Sequence, residues 1–550
     1  MDVVAEPLWL PLPAVIVPAV QSVPRRLGPV PRWLIPSLSD CLFLAILVWV
    51  FALGSGWSVL LADGDTGWHI RTGEYILDTR SVPAHDLFSF SKSGQPWLAW
   101  EWGSDVIFGA LHRAWGLKGV VVLSGVVLAL SATLLFRSML WRGANLLAAL
   151  AATLLAAGAS TVHYLARPHI FTFLGLTAAM WMLERDRRRP SRAVWWLVPM
   201  TALWTNLHGG FLAWLACVGL VSAGCAWGAA VAPSGTPFGF SPLRRYALLA
   251  GACAAATLVN PYGWRLHQHV ISYLRSDWIR QAVEEFQSPR FRSESMLQFE
   301  ILLFAGLAMV PVFFRQCRFA DVLLVLFWAH FALVSARHVP LYAMIAAPLV
   351  AAEASRLWSA WSAGFHCKSV GGLLRDCLRD FSTGVQRSSI WVPVALVGLA
   401  AWPWDGPADF PGNKFPVTAL ERNASLMTAP RGAPRRILTS DQWGDYLIYR
   451  LYPRQRVFVD GRSDFYGPVI GRDYLVLLNG APGWDRVVEQ YRFDLALLPL
   501  DWPLAQLMMC HPAWQVRYQD RQAVVLERRQ QTGLNQNPDS TERIHGEPTE

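Results

Sequence analysis

Charge is scarce in this sequence. Only 16% of its 550 residues are Asp, Glu, Lys or Arg, against about a quarter in a soluble domain. The shortage is regional, because the charges cluster between long apolar runs and 53% of the chain is hydrophobic. That excludes an ordinary soluble globular protein and indicates a polytopic membrane protein with a soluble appendage. No Walker A or GxGxxG loop stands out, which argues against nucleotide hydrolysis. There is no CxxC pair and no disulfide framework. The eight cysteines are scattered, and Cys41, Cys217, Cys225 and Cys253 fall in apolar runs as small core hydrophobes. No solenoid-type repeat occurs. Residues 1–38 are Pro-rich and lack the basic start, apolar core and small-residue site of a signal peptide, so they read as a flexible cytoplasmic tail.

What is abundant fits the same class. The 28 tryptophans suit membrane interfaces. The net charge of +9 lies largely in short loops between apolar runs, where it sets topology, so nucleic acid is not an expected partner. About eleven transmembrane helices are predicted, at 40–61, 118–140, 145–162, 168–184, 194–208, 211–232, 244–260, 298–314, 319–336, 339–354 and 389–403. Together they form a membrane domain over 39–404 with a large first external loop at 62–117.

The basic loops "FRSMLWR", "ERDRRRPSR", "SPLRRY" and "RQCR" alternate along the chain and are placed in the cytoplasm. The intervening loops then lie outside, and these carry the polar residues that are not simply basic: 63–75, 163–171, 205–211, 259–269 and 335–342. The stretch 355–388 becomes a cytoplasmic amphipathic connector.

In "DGDTGWHIRTGEY", Asp63 and Asp65 end the first apolar run. A carboxylate there is costly unless solvated or paired. It is either a helix cap, with Asp65 before a plausible interfacial helix, or a general base or metal ligand. His69, Arg71 and Glu101 belong to the same loop. Asp63, Asp65, His69 and Glu101 are the donor types that a divalent cation such as Mg or Mn takes. Arg167 with His169, and Arg337 with His338, place positive charge on the side where it is disfavoured. That suits an anionic ligand such as a phosphate, or pairing with structural carboxylates. Asn206 and His208 in "NLHGG", and Asn260 in "NPYG", are substrate-binding candidates, with turn chemistry as the alternative.

The C-terminal part, 410–530, predicts strands at 436–440, 456–462, 494–500, 514–520 and 523–528 and helices at 443–452 and 503–511. This is a small extracytoplasmic α/β domain. Asp460, Arg462 and Asp464 in "VFVDGRSDFYG" form either a ligand-bearing strand end or a salt-bridged turn. The polar stretch 531–550 reads as disordered.

An acidic pair ending the first span, a long external loop with a helix, about eleven spans and an external C-terminal domain resemble the GT-C superfamily of membrane glycosyltransferases. More narrowly, "DGDTGWHIRTGEYIL", "ARPHIF", "NLHGGF", "NPYG", "ARHVPLY" and "VFVDGRSDFYG" look like an uncharacterised bacterial GT-C-like membrane protein family, over about 40–528. The resemblance implies a hexosyl or pentosyl transferase of the plasma (inner) membrane and cell envelope. Its donor would be a polyprenyl-phosphate-linked sugar and its acceptor a glycan, lipid or protein. It also implies Asp65 or Asp63 as the base, with Arg167, His169, Arg337 and His338 as candidates for the donor phosphate. The adjacent Asp-Glu pair of the protein-mannosylating branch is missing from the first loop, and the oligosaccharyltransferase WWD signature is missing from the soluble part. A transporter or flippase of a lipid-linked anion, and a non-catalytic envelope assembly protein, are the other two functions that the composition admits.

Overall fold

The structure is a computed structural model and describes residues 32–53, 56–231, 240–366, 368–382, 389–428 and 434–529. Of the predicted tails, 1–38 and 531–550, only 32–38 fall among the described residues, and there Arg32–Leu34 form a short 3-10 helix and Ser37 is buried, in place of a flexible tail. In the helical part, α1 (Leu38–Ala52), α2 (Asp65–Thr79), α3 (Trp102–Arg142), α4 (Leu146–Ser160) and α5 (His169–Arg188) come first. They are followed by α6 (Leu197–Thr205), α7 (Phe211–Val231), α8 (Phe240–Ala256), α9 (Trp264–Arg275) and α10 (Asp277–Ala282). Then come α11 (Glu294–Arg315), α12 (Phe319–Val334), α13 (Val339–Ser362), α14 (Val370–Ser382) and α15 (Trp391–Ala401).

Each predicted span falls on a helix. Among the described residues, four helices are long and apolar enough to cross a membrane: Trp102–Arg142, Leu146–His163, Phe211–Val231 and Ser295–Arg315. Leu38–Ala52, Phe319–Val334 and Trp391–Ala401 are apolar but shorter. The helix α3 is broken at Trp115 and Gly116, which separates a leading segment packed on α2 from the apolar segment that follows.

The C-terminal part contains α16 (Val417–Arg422), α17 (Ala424–Met427), α18 (Asp441–Leu451), α19 (Ser463–Leu478), α20 (Trp484–Tyr491) and α21 (Pro503–Cys510). These surround a four-stranded sheet of β1 (Ile437–Leu438), β2 (Leu495–Pro499), β3 (Trp514–Gln519) and β4 (Ala523–Arg528), in the order β1-β2-β4-β3. β1 is parallel to β2, with Ile437 opposite Leu495, and the other pairs are antiparallel. Leu495–Leu498 and Ala523–Leu526 are fully buried, so the central strands read as apolar runs rather than alternating ones.

The strand predicted at 456–462 does not form. Val457 makes single bridges to Ser89 and to Ile437, and the chain then turns into α19. The segment serves instead as a seam to the first loop: Phe90 N–H donates to Val457 O and Val457 N–H to Phe88 O, both at 2.9 Å. Beyond it, Arg462 is buried between Asp86 (2.8 Å) and Asp460 (2.6 Å). This is the salt-bridged turn, and it ties the C-terminal domain to the loop.

The three glycines of "DGDTGWHIRTGEY" fix where α2 lies. A methyl group on Gly73 would stand 1.8 Å from the Asp105 carbonyl oxygen on α3. On Gly64 and Gly67 it would stand 2.4 and 2.6 Å from the carbonyl oxygens of Gln442 and Asp445 on α18. No side chain fits at those separations. The helix is therefore clamped, backbone against backbone, between the leading segment of α3 and α18 of the C-terminal part. Arg71 adds to the clamp by donating from Nε to the Tyr449 carbonyl at 2.8 Å. The Gly64 amide donates to Gln442 Oε1 at 2.7 Å.

Gly73→Ala is expected to destabilise the protein by about 1–3 kcal/mol, the usual cost of overpacking. Gly219→Ala on α7, where a methyl group meets nothing within 4 Å, should not. Thermal unfolding in detergent distinguishes the two, and equal midpoints would contradict the clamp.

Candidate functional site

The polar loops meet at one end of the helical bundle, around a cavity of about 360 Å³. Asp65 and His69 come from α2, Arg167 from the turn before α5, His208 from the turn before α7, and Arg337 and His338 from the turn before α13. The 259–269 loop contributes no lining side chain, but α9 directly after it contributes Tyr273. The deeper wall is apolar, with Phe173, Leu212, Ala216, Phe327 and Leu341 drawn from several helices.

Arg167 sits among three acids. Its Nη1 lies 2.9 Å from Asp63 Oδ2 and 3.0 Å from Glu285 Oε1, and its Nη2 lies 2.6 Å from Asp65 Oδ2. Burial, the largest single influence, would raise Glu285, but Arg167 together with His163, Arg337 and His169 holds that carboxyl well below its usual range. The charge of Arg167 is thus taken up by carboxylates. Arg337 differs: its Nη1 donates to Tyr273 Oη at 3.2 Å and its guanidinium lies 4.4 Å from the Phe286 ring centroid. Among the described residues it pairs with no carboxylate. Arg337 is therefore the cation of the expected phosphate group that no carboxylate holds in an ion pair, Glu285 acting on it only at longer range.

The acidic pair divides its roles. Asp63 Oδ1 accepts the Asp65 amide at 2.9 Å, while Gly64 is the N-cap of α2 and Asp65 its first residue. This corrects the expectation that Asp65 is the cap. Both oxygens of Asp63 are occupied and it does not line the cavity, whereas Asp65 does.

Asp65 Oδ1 is buried and has no donor, and the same is true of Asp445 Oδ2 on α18. Both oxygens lie against Gly461, where an added methyl would meet Asp65 Oδ1 at 1.8 Å and Asp445 Oδ2 at 3.0 Å. Burial raises both carboxyls, Asp445 further still because of Asp65, while Arg167 pulls Asp65 back. Asp445 is raised the further of the two and is the stronger holder of the pair's proton, while Asp65 is pushed up to about 7.

Histidines and Glu101 form a second chain. His69 Nδ1 lies 2.6 Å from Asp105 Oδ1, which turns Nε2 toward Glu101 Oε2 at 3.8 Å. His208 Nδ1 accepts the Gly210 amide at 3.0 Å and lies 2.7 Å from Thr172 Oγ1. The ring proton is therefore on Nε2, 3.5 Å from Glu101 Oε1. Burial, then Arg337 and Arg167, push His208 down to about 3, so the ring is neutral. Burial pushes Glu101 up to about 8. His338 is pushed down to about 4 by burial and then by Arg337, so it offers hydrogen bonds rather than charge. His169 donates Nε2–H to the His163 carbonyl at 2.5 Å.

Three predicted residues lie elsewhere. Arg71 serves the clamp. Asn206 accepts from Trp102 Nε1 and donates to the Val259 carbonyl, both at 2.8 Å, pinning two turns together. Asn260 closes its own turn by accepting the Tyr262 amide at 2.8 Å. The three acids and one histidine considered for a cation, Asp63, Asp65, Glu101 and His69, do not gather, because Arg167 holds the Asp pair. Among the described residues no group of three or more His, Cys, Asp or Glu is arranged for a metal ion. Sequence reasoning missed Asp105, Tyr273, Glu285 and Asp445. Only Asp445 left a local signal, "SDQWGDY", with Ser440 Oγ accepting the Trp443 amide at 3.1 Å to cap α18.

Comparison with family models and with curated sequences finds no match. Among solved structures, the Archaeoglobus fulgidus oligosaccharyltransferase tethered to an acceptor peptide containing the NVT sequon aligns with a TM-score of 0.50 at 11% identity, over 90% of this chain and 73% of that one. ArnT from Cupriavidus metallidurans bound to undecaprenyl phosphate aligns with a TM-score of 0.44 at 13% identity, over 89% and 96%. Both are GT-C superfamily membrane glycosyltransferases. The chain shares the fold of the oligosaccharyltransferase.

Glu101 holds its proton more tightly when folded, at about 8 against an ordinary 4.5. Its contribution to stability is complete below the lower value and is lost as pH rises through the upper one. The unfolding midpoint should carry a component that falls between those two pH values. Glu101→Gln should flatten it, and an unchanged pH profile in the variant would contradict the assignment.

Proposed function

We propose that the protein is a membrane glycosyltransferase acting on the extracytoplasmic face of the plasma membrane, moving a sugar from a polyprenyl-phosphate-linked donor to a glycan, lipid or protein acceptor. One observation carries the reading: Arg337, a guanidinium in no ion pair with a carboxylate among the described residues, and the Asp65 carboxyl line one cavity together with apolar side chains. A phosphate with a lipid tail suits the first and last of these, and an acceptor hydroxyl suits the second. The ionisable groups stand at helix ends, which favours chemistry at the membrane surface over passage through it.

In the proposed reaction the acceptor oxygen attacks the anomeric carbon and its proton passes to the Asp65 carboxylate. The bond from that carbon to the phosphate oxygen breaks, and polyprenyl phosphate leaves with its new charge facing Arg337. The leaving group is already a stabilised anion, so no strong acid is needed. Asp445, the stronger holder of the pair's proton, competes with Asp65 for it. Glu101, His69 and His208 offer neutral hydrogen bonds to a sugar. Arg167 places Asp65 without meeting the phosphate. No step is routed through a metal ion.

The test is sugar transfer in liposomes supplied with polyprenyl-phosphate sugars and envelope lipids. Asp65→Asn is expected to lower turnover by about 10²–10⁴-fold, and Arg337→Gln by about 10²-fold or more. Arg337→Gln should also weaken polyprenyl phosphate binding, read by thermal shift. If Asp65→Asn turns over a demonstrated substrate at the wild-type rate, the reaction assignment fails.

A further inference from the structure

A second, open cavity of about 570 Å³ lies where α3, α5, α12 and α13 meet again, away from the first. The 20 residues of α5 connect them: it starts at His169 in the first cavity and ends at Arg188 in the second. At 1.5 Å per residue that is about 30 Å, the thickness of a bilayer's hydrocarbon core. Five arginines line this cavity (Arg142, Arg187, Arg188, Arg318 and Arg356) against three carboxylates, Glu184, Asp321 and Glu353.

The pairs form one connected chain. Arg187 joins Glu184 (3.0 Å) to Asp321 (2.8 Å), and Arg318 joins Asp321 (2.7 Å) to Glu353 (3.1 Å). Arg188 and Arg142 reach Glu184 at 3.1 and 3.5 Å, and Arg356 Nε reaches Glu353 at 2.7 Å. Each acid is shared, so two positive charges among the lining residues remain unbalanced. Arg142 is 5% exposed, and its Nε–H is buried without an acceptor. A buried donor left unmade costs about 1–3 kcal/mol, and planar guanidinium groups match phosphate oxygens. The flanks suit lipid: Leu357 and Trp361 on α13, and Phe314 at the end of α11, are exposed apolar side chains, and Trp141 lies under the Arg188 guanidinium at 4.7 Å.

We propose that this cavity binds the phosphate of an anionic phospholipid headgroup, in the leaflet opposite the transferase cavity. The inference does not depend on the proposed reaction. The basic loops that fix topology then also form a lipid seat.

The experiment titrates the full-length protein in detergent with short-chain phosphatidylglycerol, inorganic phosphate and short-chain phosphatidylcholine, reading thermal shift. Phosphatidylglycerol is expected to raise the midpoint saturably, with phosphatidylcholine at least tenfold weaker. A response to inorganic phosphate as well means that the phosphate suffices, and a response to the lipid alone means that the headgroup in its tail-bearing form is required. Arg188→Gln with Arg356→Gln, at half-exposed positions, should weaken the response tenfold or more, while Arg337→Gln should leave it intact. As a second readout on the wild type, phenylglyoxal labelling of these arginines should fall when phosphatidylglycerol is present. The proposal is overturned by no saturable shift from either phosphate source, by an equal response to phosphatidylcholine, by an unaltered response in the double variant, or by loss of the response in Arg337→Gln.

Discussion

The backbone-to-backbone clamp on α2 is the constraint from which the site follows. A helix that carried side chains at positions 64, 67 and 73 would stand off from both α3 and α18. Because glycines occupy those positions, the Asp105 carbonyl and the Asp445 turn press directly on α2. Asp65 is thereby presented to Arg167 on one side and Asp445 on the other, and His69 to Asp105. The site is consequently composite. Neither the helical bundle nor the C-terminal domain contains it alone, and the seam through Val457 and Arg462 keeps the two in register.

Electrostatics then decides which residue does what. Five carboxyl groups and three arginines line one buried space, where unpaired charge is expensive. Asp63, Asp65 and Glu285 gather on Arg167. Burial leaves Glu101 protonated near neutrality. Arg337 is held by an aromatic ring and a phenol instead of an acid. Its guanidinium, in no ion pair, is the place in this cavity that suits an arriving anion, with Asp65 in the same cavity to take a proton.

Much of this was legible in the sequence. Apolar runs located the helices, since burial in lipid or protein demands the same composition, and polar loops far apart in the chain named one cavity before any contact was known. The division of labour was not legible. Whether Arg167 meets a phosphate or a carboxylate depends on Glu285, 118 residues away, and nothing in "VEEF" announces that encounter. Asp445 looked like an ordinary residue in the first turns of a helix, because its partnership with Asp65 exists only once α2 and α18 touch. Asn206 and Asn260 shared the polar texture of the site while serving turns. The 456–462 segment has strand composition, but its hydrogen bonds go to the first loop, a choice made by tertiary packing rather than by local preference.

The central claim is that one cavity, built by both parts of the chain, holds a lipid phosphate at Arg337 with Asp65 beside the reacting carbon. An experimental structure with bound polyprenyl phosphate tests it most directly. The account predicts phosphate oxygens within about 3 Å of the Arg337 guanidinium, the tail along the wall of Phe327 and Leu341, and the Arg167–Asp65 pair intact. A phosphate seated on Arg167 with the acids released, or bound outside this cavity altogether, would contradict it.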